Sequence, residues 1–232
     1  MNIIITGGNR GLGLATAHAF AAKGHNLMLC ARNEISLNLA KTTLEKQFPK
    51  IIVDIHIADL SIQTEVASFA KKCLNSFLPD VLVNNAGGYI PGNCSDAQEG
   101  DIEKMMAMNF YTAYHLTRAI LPAMIQRKSG HIFNMCSIAA LQPYDGGGCY
   151  SISKYALDGF SKNLRHELKS KGIKVTTVYP GATLTDSWGD YDNSQERIMI
   201  PSDVAHMIVS ATELSNQAVV EEIILRPQLG DL

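Results

Sequence analysis

The sequence predicts an α/β fold, a single domain over residues 1–232 in which a parallel sheet is covered by helices on both faces. Three observations lead there. Short apolar, often β-branched runs alternate with stretches of helical periodicity along the whole chain. The first run, Ile3-Ile4-Ile5, passes directly into Thr6-Gly7-Gly8-Asn9-Arg10-Gly11-Leu12-Gly13, a glycine-rich turn that opens a helical pattern. Finally, 232 residues with 46% apolar and 18% charged side chains suffice for one sizeable core and leave no room for a second large domain.

Each element follows in order. Beyond the glycine turn, residues 14–23 carry Leu14, Ala17, Phe20 and Ala21 at helical spacing and stop at Gly24. Residues 26–31 form a second strand and complete a βαβ unit. Residues 35–48 read as a helix closed by Pro49, and 51–57 as a β-branched strand ending before Asp59-Leu60. A helix over 62–77 leads past Pro79 into the strand 81–83, which runs into Asn84-Asn85-Ala86-Gly87. The loop 88–95, rich in Gly, Pro, Asn and Ser, precedes one long helix over 102–126, with Pro122 near its end. The fifth strand is 131–135. A helix begins near Gly148 and continues to Lys171, and the sixth strand, 173–178, stops at Pro180-Gly181. Residues 186–195 are polar, with Trp188 and Tyr191 as the large apolar side chains, and read as a mobile loop. A helix over 201–212 and a strand over 219–225 precede the tail 226–232.

Composition narrows the function. A formal charge of −2, from 20 basic and 22 acidic residues, argues against a nucleic-acid partner or an anionic membrane surface. No leader pattern precedes the first strand and no apolar run approaches a membrane span, so the expected location is cytoplasmic. The five cysteines, Cys30, Cys73, Cys94, Cys136 and Cys149, are odd in number and contain no Cys-x-x-Cys, against a disulfide framework or a zinc site. None of the seven histidines falls in a metal-binding pair, and no metal is expected.

Chemistry is expected at the carboxyl ends of the strands, where ligands bind in such sheets. Gly7, Gly11 and Gly13 suit a turn in which the backbone approaches a pyrophosphate and the helix N-terminus faces the anion; alone, the same spacing also fits an ordinary glycine-rich turn. Tyr150 and Lys154, four residues apart, rise from one face of a helix. A free tyrosine has a pKa near 10, and a cation beside it favours the phenolate; taken alone, the pair also fits a plain helix surface. Ser137 lies thirteen residues upstream of Tyr150, at a strand end.

Together, Thr6-Gly7-x-x-x-Gly11-x-Gly13, Asn84-Asn85-Ala86-Gly87, Asn109, Ser137, Tyr150-x-x-x-Lys154 and Pro180-Gly181 resemble the short-chain dehydrogenase/reductase family, in its single-domain branch. The resemblance implies a Rossmann-type, doubly wound sheet of about seven strands and hydride transfer between a nicotinamide cofactor and a carbonyl or alcohol. It makes Tyr150 the general acid or base, Ser137 the residue that holds the substrate carbonyl, and Lys154 the group that lowers the Tyr150 pKa and bonds the nicotinamide ribose. Asn109 would fix a water in a proton relay. It places Gly7, Asn9, Arg10, Gly11, Leu12 and Gly13 around the pyrophosphate, Asp59 and Leu60 by the adenine, and Asn85, Ala86 and Gly87 on the adenosine side. Pro180, Gly181, Thr183 and Thr185 fall by the nicotinamide. A homodimer or homotetramer through the helices containing Asn109 and Tyr150 is implied as well.

Charge selects the cofactor. The second strand ends in Cys30-Ala31-Arg32, not in an acidic residue, and Arg10 lies in the glycine turn; two guanidinium groups suit a 2′-phosphate, so the expectation is NADP(H). The partner is a small carbonyl or alcohol compound, with Tyr89, Leu141, Tyr144, Trp188 and Tyr191 as candidate pocket residues and a substrate loop at about 182–200. Two alternatives remain. One is a reductase of 3-oxoacyl groups on an acyl carrier protein, docked on Arg127, Lys128, Lys169 and Lys171, although cations there also suit helix C-termini. The other is a non-catalytic NADP(H)-binding sensor or scaffold, against which Ser137, Tyr150 and Lys154 argue.

Overall fold

The computed structural model describes residues 1–231. Seven strands form one sheet in the order β3-β2-β1-β4-β5-β6-β7. They are β1 (Asn2–Thr6), β2 (Asn26–Ala31), β3 (Val53–Ile57), β4 (Val81–Asn84), β5 (Gly130–Met135), β6 (Ile173–Pro180) and β7 (Glu222–Leu225). Every pairing is parallel. The helices are α1 (Gly11–Ala22), α2 (Glu34–Gln47), α3 (Gln63–Ser76), α4 (Asp101–Met106), α5 (Thr112–Arg127), α6 (Gly148–Leu168) and α7 (Pro201–Thr212). The seven-strand, doubly wound architecture expected from the sequence is the one observed.

Alternation along the strands explains why both faces need helices. Ile3 and Ile5 join Phe20, Leu27, Leu29, Val83 and Ile208 on one face of the sheet. Ile4 joins Met28, Leu82, Phe69, Leu116 and Ile132 on the other. Successive residues of a strand point to opposite faces, so an all-apolar strand such as β1 is stable only with helices on each side. Here α1, α2 and α7 cover the first face, and α3, α5 and α6 the second. Each side chain buried this way contributes about 1.5–3 kcal/mol.

The long helix expected over 102–126 is interrupted. Between α4 and α5 the chain widens into a π-turn at Ala107–Tyr111, closed by the Thr112 N–H donating to the Ala107 carbonyl five residues back. The Thr112 hydroxyl donates to the Leu60 carbonyl at 2.8 Å, which ties the irregular turn to the loop after β3. Strand β7 is shorter than expected, since 219–221 only approach the sheet edge: the carbonyls of Val220 and Glu221 accept from the Thr176 hydroxyl and the Thr177 N–H. The loop 186–195 contains a short 3₁₀ turn, Asp186–Trp188, and the Trp188 and Tyr191 rings pack together with centroids 5.2 Å apart.

Side-chain amides lock the centre of the sheet to its helices. Asn84 Nδ2 donates to Thr117 Oγ1 (2.9 Å) on α5 and to Asn134 Oδ1 (2.8 Å) on β5. Asn134 Nδ2 in turn donates to Ser161 Oγ (2.8 Å) on α6. Chain order reverses between β1 and β4, and the carboxyl ends of these neighbours diverge there into a cleft.

Candidate active site

A cavity of about 820 Å³ lies at those carboxyl ends. Its floor is the turn between β1 and α1. Gly7 has φ +64°, a left-handed conformation, and a Cβ on Gly13 would lie 2.0 Å from the Gly7 carbonyl oxygen and 2.5 Å from Asn85 Nδ2. Glycine is therefore required for α1 to start so close to the strand. No side chain caps the N-terminus of α1, and its first turn holds no acidic residue. Its first N–H groups and the positive end of its dipole are left for an anion. This arrangement fits a dinucleotide pyrophosphate.

The cleft is latched across the β1–β4 seam. Thr6 Oγ1 accepts from the Asn85 and Ala86 N–H groups at 2.9 and 2.8 Å, while Asn85 Nδ2 donates to the Thr6 carbonyl at 2.9 Å. Asn85, Ala86 and Gly87 form one wall; Gly11, Leu12, Asp59 and Leu60 also line the cavity.

At the far end stand Arg10, Arg32, Asn33 and Ser36. Arg32 pairs with Asp59 at 3.5 Å and Arg10 with Asp186 at 3.4 Å, both guanidinium groups remaining largely exposed. Asn9 Nδ2 donates to Ser36 Oγ at 2.8 Å, and Asn33 caps α2 by accepting from the Ser36 N–H. Burial alone would push the Asp59 carboxyl up; hydrogen bonds from Ser61 and the Arg32 charge outweigh it and hold the group below the usual range. Sequence reasoning missed Ser36 and Ser61. The Asn33-x-x-Ser36 spacing of a helix cap was the available signal for the first.

At the near end α6 presents Tyr150 and Lys154 to the cavity one helical turn apart. Lys154 is buried; its Nζ donates to the Met135 carbonyl at 2.8 Å and lies 5.6 Å from the centroid of the Tyr150 ring. Tyr89 meets Tyr150 edge to face, with centroids 5.2 Å apart, and its hydroxyl donates to the Gly146 carbonyl. Ser137 follows β5, and its Oγ accepts from the Ala139 N–H at 3.1 Å, starting the turn Ile138–Ala140. Among the described residues Ser137 makes no hydrogen bond to Tyr150, and unlike Met135, Cys136 and Tyr150 it does not line the cavity.

Asn109 occupies the π-turn and is buried. Its Oδ1 accepts from the Gly88 N–H (2.9 Å), and its Nδ2 donates to the Gly88 carbonyl (3.0 Å) and to Ser153 Oγ (3.0 Å). The Asn109 side chain thus braces the loop after β4 against α6. Pro180 and Thr185 line the cavity. Gly181 stands behind the wall, with its N–H on the Leu225 carbonyl, and Thr183 is buried and donates to the Gly181 carbonyl.

Tyr89 lines the cavity, and Tyr144 neighbours it: burial and the adjoining Tyr89 and Tyr150 push the Tyr144 phenol up. Neither Leu141 nor Tyr144 lines the cavity, and both are exposed, at 40% and 44%. The basic residues considered for a carrier protein lie elsewhere. Arg127 and Lys128 end α5 and lead into β5, and Lys169 and Lys171 end α6 and lead into β6. They sit at the amino ends of parallel strands, opposite the cavity, and Arg127 is engaged by Asp80 at 3.1 Å.

Among the described residues no group of three or more His, Cys, Asp or Glu is arranged to hold a metal ion, and no helix is long and apolar enough to cross a membrane. Burial pushes Cys30 up to about 12 and Cys136 up to about 11, as expected of thiols that act as small apolar side chains.

A family model described as short chain dehydrogenase matches residues 1–196. A sepiapterin reductase of Chlorobaculum tepidum is 33% identical, the match covering 99% of this chain and 97% of that protein. Among solved structures, an alcohol dehydrogenase from Thermococcus sibiricus complexed with 5-hydroxy-NADP superposes with a TM-score of 0.91 at 25% identity, over 100% of this chain and 98% of the other. A metagenomic short-chain oxidoreductase in complex with NADP gives 0.86 at 30% identity, over 98% and 97%. The match over most of the chain, together with the sheet order and the glycine cleft, shows that the chain belongs to the short-chain dehydrogenase/reductase family of oxidoreductases.

Proposed function

We propose that this oxidoreductase interconverts a carbonyl compound and its alcohol with NADP(H), Tyr150 exchanging the proton with the substrate oxygen. The observation that carries the reading is that one cavity has the Tyr150–Lys154 pair at one end and Arg10, Arg32 and Ser36 at the other. The uncapped α1 N-terminus between them suits a pyrophosphate, and two guanidinium groups beside the Ser36 hydroxyl suit a ribose 2′-phosphate. Both structural relatives described above carry NADP or a derivative of it, which supports the same choice. When bound, the cofactor supplies or accepts the hydride.

The residues of the chain handle the oxygen. The Tyr150 hydroxyl donates its proton to the oxygen of a carbonyl as it becomes an alcohol, and recovers one in the reverse direction. Ser137 is free to help: its Oγ already accepts the Ala139 N–H, so its own proton remains available to the same oxygen. One N–H of Lys154 is taken up by Met135; the other two are left for ribose hydroxyls and for a water that returns the proton. Proton transfer by a positioned group contributes about 10²–10⁴-fold, and a second donor at the developing charge a comparable factor.

The test follows the loss of NADPH absorbance across aldehydes, ketones, quinones and acyl thioesters. Tyr150→Phe should bind NADPH normally and lose at least about 100-fold in turnover. Near-normal turnover in that variant removes Tyr150 from the mechanism.

A further inference from the structure

The 226–231 segment is folded back onto the loop that follows β6. Asp231 Oδ2 accepts from Arg226, at 2.6 Å from Nε and 2.5 Å from the terminal nitrogen. Asp231 Oδ1 accepts the Ala182 N–H at 3.0 Å. The same oxygen lies 2.2 Å from where a Cβ on Gly181 would stand, so the carboxylate occupies the space of the missing side chain. From the opposite side, the Arg197 guanidinium donates to the Gly230 carbonyl (2.8 Å) and the Asp231 carbonyl (3.3 Å).

These contacts close a loop at both ends. Residues 182–199 are paired at the base, where the Leu184 N–H donates to the Met199 carbonyl and the Met199 N–H to the Ala182 carbonyl. Asn193 exchanges two hydrogen bonds with Ile198 further out. The arm between contributes Thr185, Asp186 and Ser187 to the cavity wall. Arg226 directly follows β7, whose last residue accepts the Gly181 N–H at 2.7 Å. A chain of charge-assisted bonds therefore runs from the sheet through Arg226 and Asp231 to the base of the loop. Such bonds are about twice as strong as neutral ones.

We infer that Asp231 is a positioning residue: by joining Arg226 to Ala182, and by presenting its carbonyl to Arg197, it fixes the 182–199 loop and with it the substrate side of the cavity. This rests on the reading of that loop as the substrate side. Asp231 touches neither Tyr150 nor Lys154, which are held by α6 and β5. Its loss should therefore loosen substrate binding more than it slows proton transfer.

The experiment uses the full chain. Hydrogen exchange is followed over 181–199, and trypsin cleavage is timed after Arg197, whose side chain the tail engages. In Asp231→Ala, both should accelerate by about tenfold, the effect of losing one charge-assisted bond, with the β1 and β5 peptides unchanged. Asp231→Glu should restore most of the protection, and Arg226→Ala should reproduce the loss without touching Asp231. For a carbonyl substrate found in the panel above, Asp231→Ala should raise KM about tenfold and account there for most of the change in kcat/KM. Unchanged exchange and cleavage over 181–199 would overturn the proposal, as would loss of protection throughout the sheet, or a loosened loop with unaltered KM. If the wild-type chain turns over nothing in the panel, only the carbonyl reading fails; exchange and cleavage still decide the clamp.

Discussion

Gly13→Ala should destabilise the protein by about 2–5 kcal/mol, a large part of the 5–15 kcal/mol typical of a domain. The added methyl would sit 2.0 Å from the Gly7 carbonyl oxygen and 2.8 Å from its carbonyl carbon, both backbone atoms, so the turn and α1 must separate. Overpacking of this kind costs about 1–3 kcal/mol and occasionally more. The methyl also displaces Asn85 Nδ2, 2.5 Å away, from the Thr6 and Gly7 carbonyls, adding about 0.5–1.5 kcal/mol for each bond. Alanine's better helix propensity returns at most about 1 kcal/mol. Gly8→Ala is the milder comparison: its Cβ would meet only the buried Leu29 side chain, Cδ2 at 3.0 Å and Cβ at 3.2 Å, which must give by a few tenths of an ångström at a cost of about 1 kcal/mol. Urea unfolding followed by circular dichroism measures both. Because Asn85 and Gly7 line the cleft, the Gly13 variant should also lose NADPH affinity. Equal urea midpoints for the two variants would refute the argument that glycine is kept at position 13 by backbone contact.

Arg32→Ala should weaken NADPH binding by about 10–100-fold, the range of a charged hydrogen bond, while leaving NADH binding nearly unchanged; equal losses in a fluorescence titration would place Arg32 outside phosphate recognition. His131 is buried under Phe133, with its Nε2 2.7 Å from Thr176 Oγ1; burial, helped by the Lys174 charge, pushes the imidazole down to about 3. Between that value and an unfolded pKa near 6.5 the unfolded chain binds the extra proton, so stability should be full above pH 6.5 and fall by up to about 1.4 kcal/mol per unit as pH drops. His131→Leu should flatten that part of the urea midpoint against pH profile, and an unaltered slope would exclude His131 as its source.

Much of this architecture is written in local patterns. The unbroken Ile3-Ile4-Ile5 run marks a strand buried on both faces, and the glycines after it mark the turn, because a single geometric need dictates each. Tyr150 and Lys154 share a helix, so their common face follows from spacing alone. What escaped depends on partners distant in sequence. The π-turn at Ala107–Tyr111 adds one residue to a helical turn whose side chains still read as helix. The anchoring of Ser137 by Ala139 and of Lys154 by Met135 is decided by backbone geometry after β5. Gly181 is tied to the end of β7 and Thr183 to the Gly181 carbonyl, contacts that the spacing of these residues does not reveal. The basic residues at 127–128 and 169–171 directly precede β5 and β6, so the parallel sheet expected from the sequence is itself enough to put them at the amino ends of the strands.

The latch between Thr6 and Asn85 has a bearing on how the molecule is made. The strands β1, β2 and β3 can pair as soon as the first 57 residues are available, but the other wall of the cleft arrives only with β4, which must insert beside β1 rather than beside β3. That contact spans 79 positions, and once β1–β3 have paired it forms only when the segment between β3 and β4 closes as well. The dinucleotide cleft therefore does not exist in a nascent chain holding only the first three strands. A ligand lying across the seam binds only molecules that have completed this step, so it draws that closure forward and should lengthen the exchange lifetimes of β1 and β4 amides together.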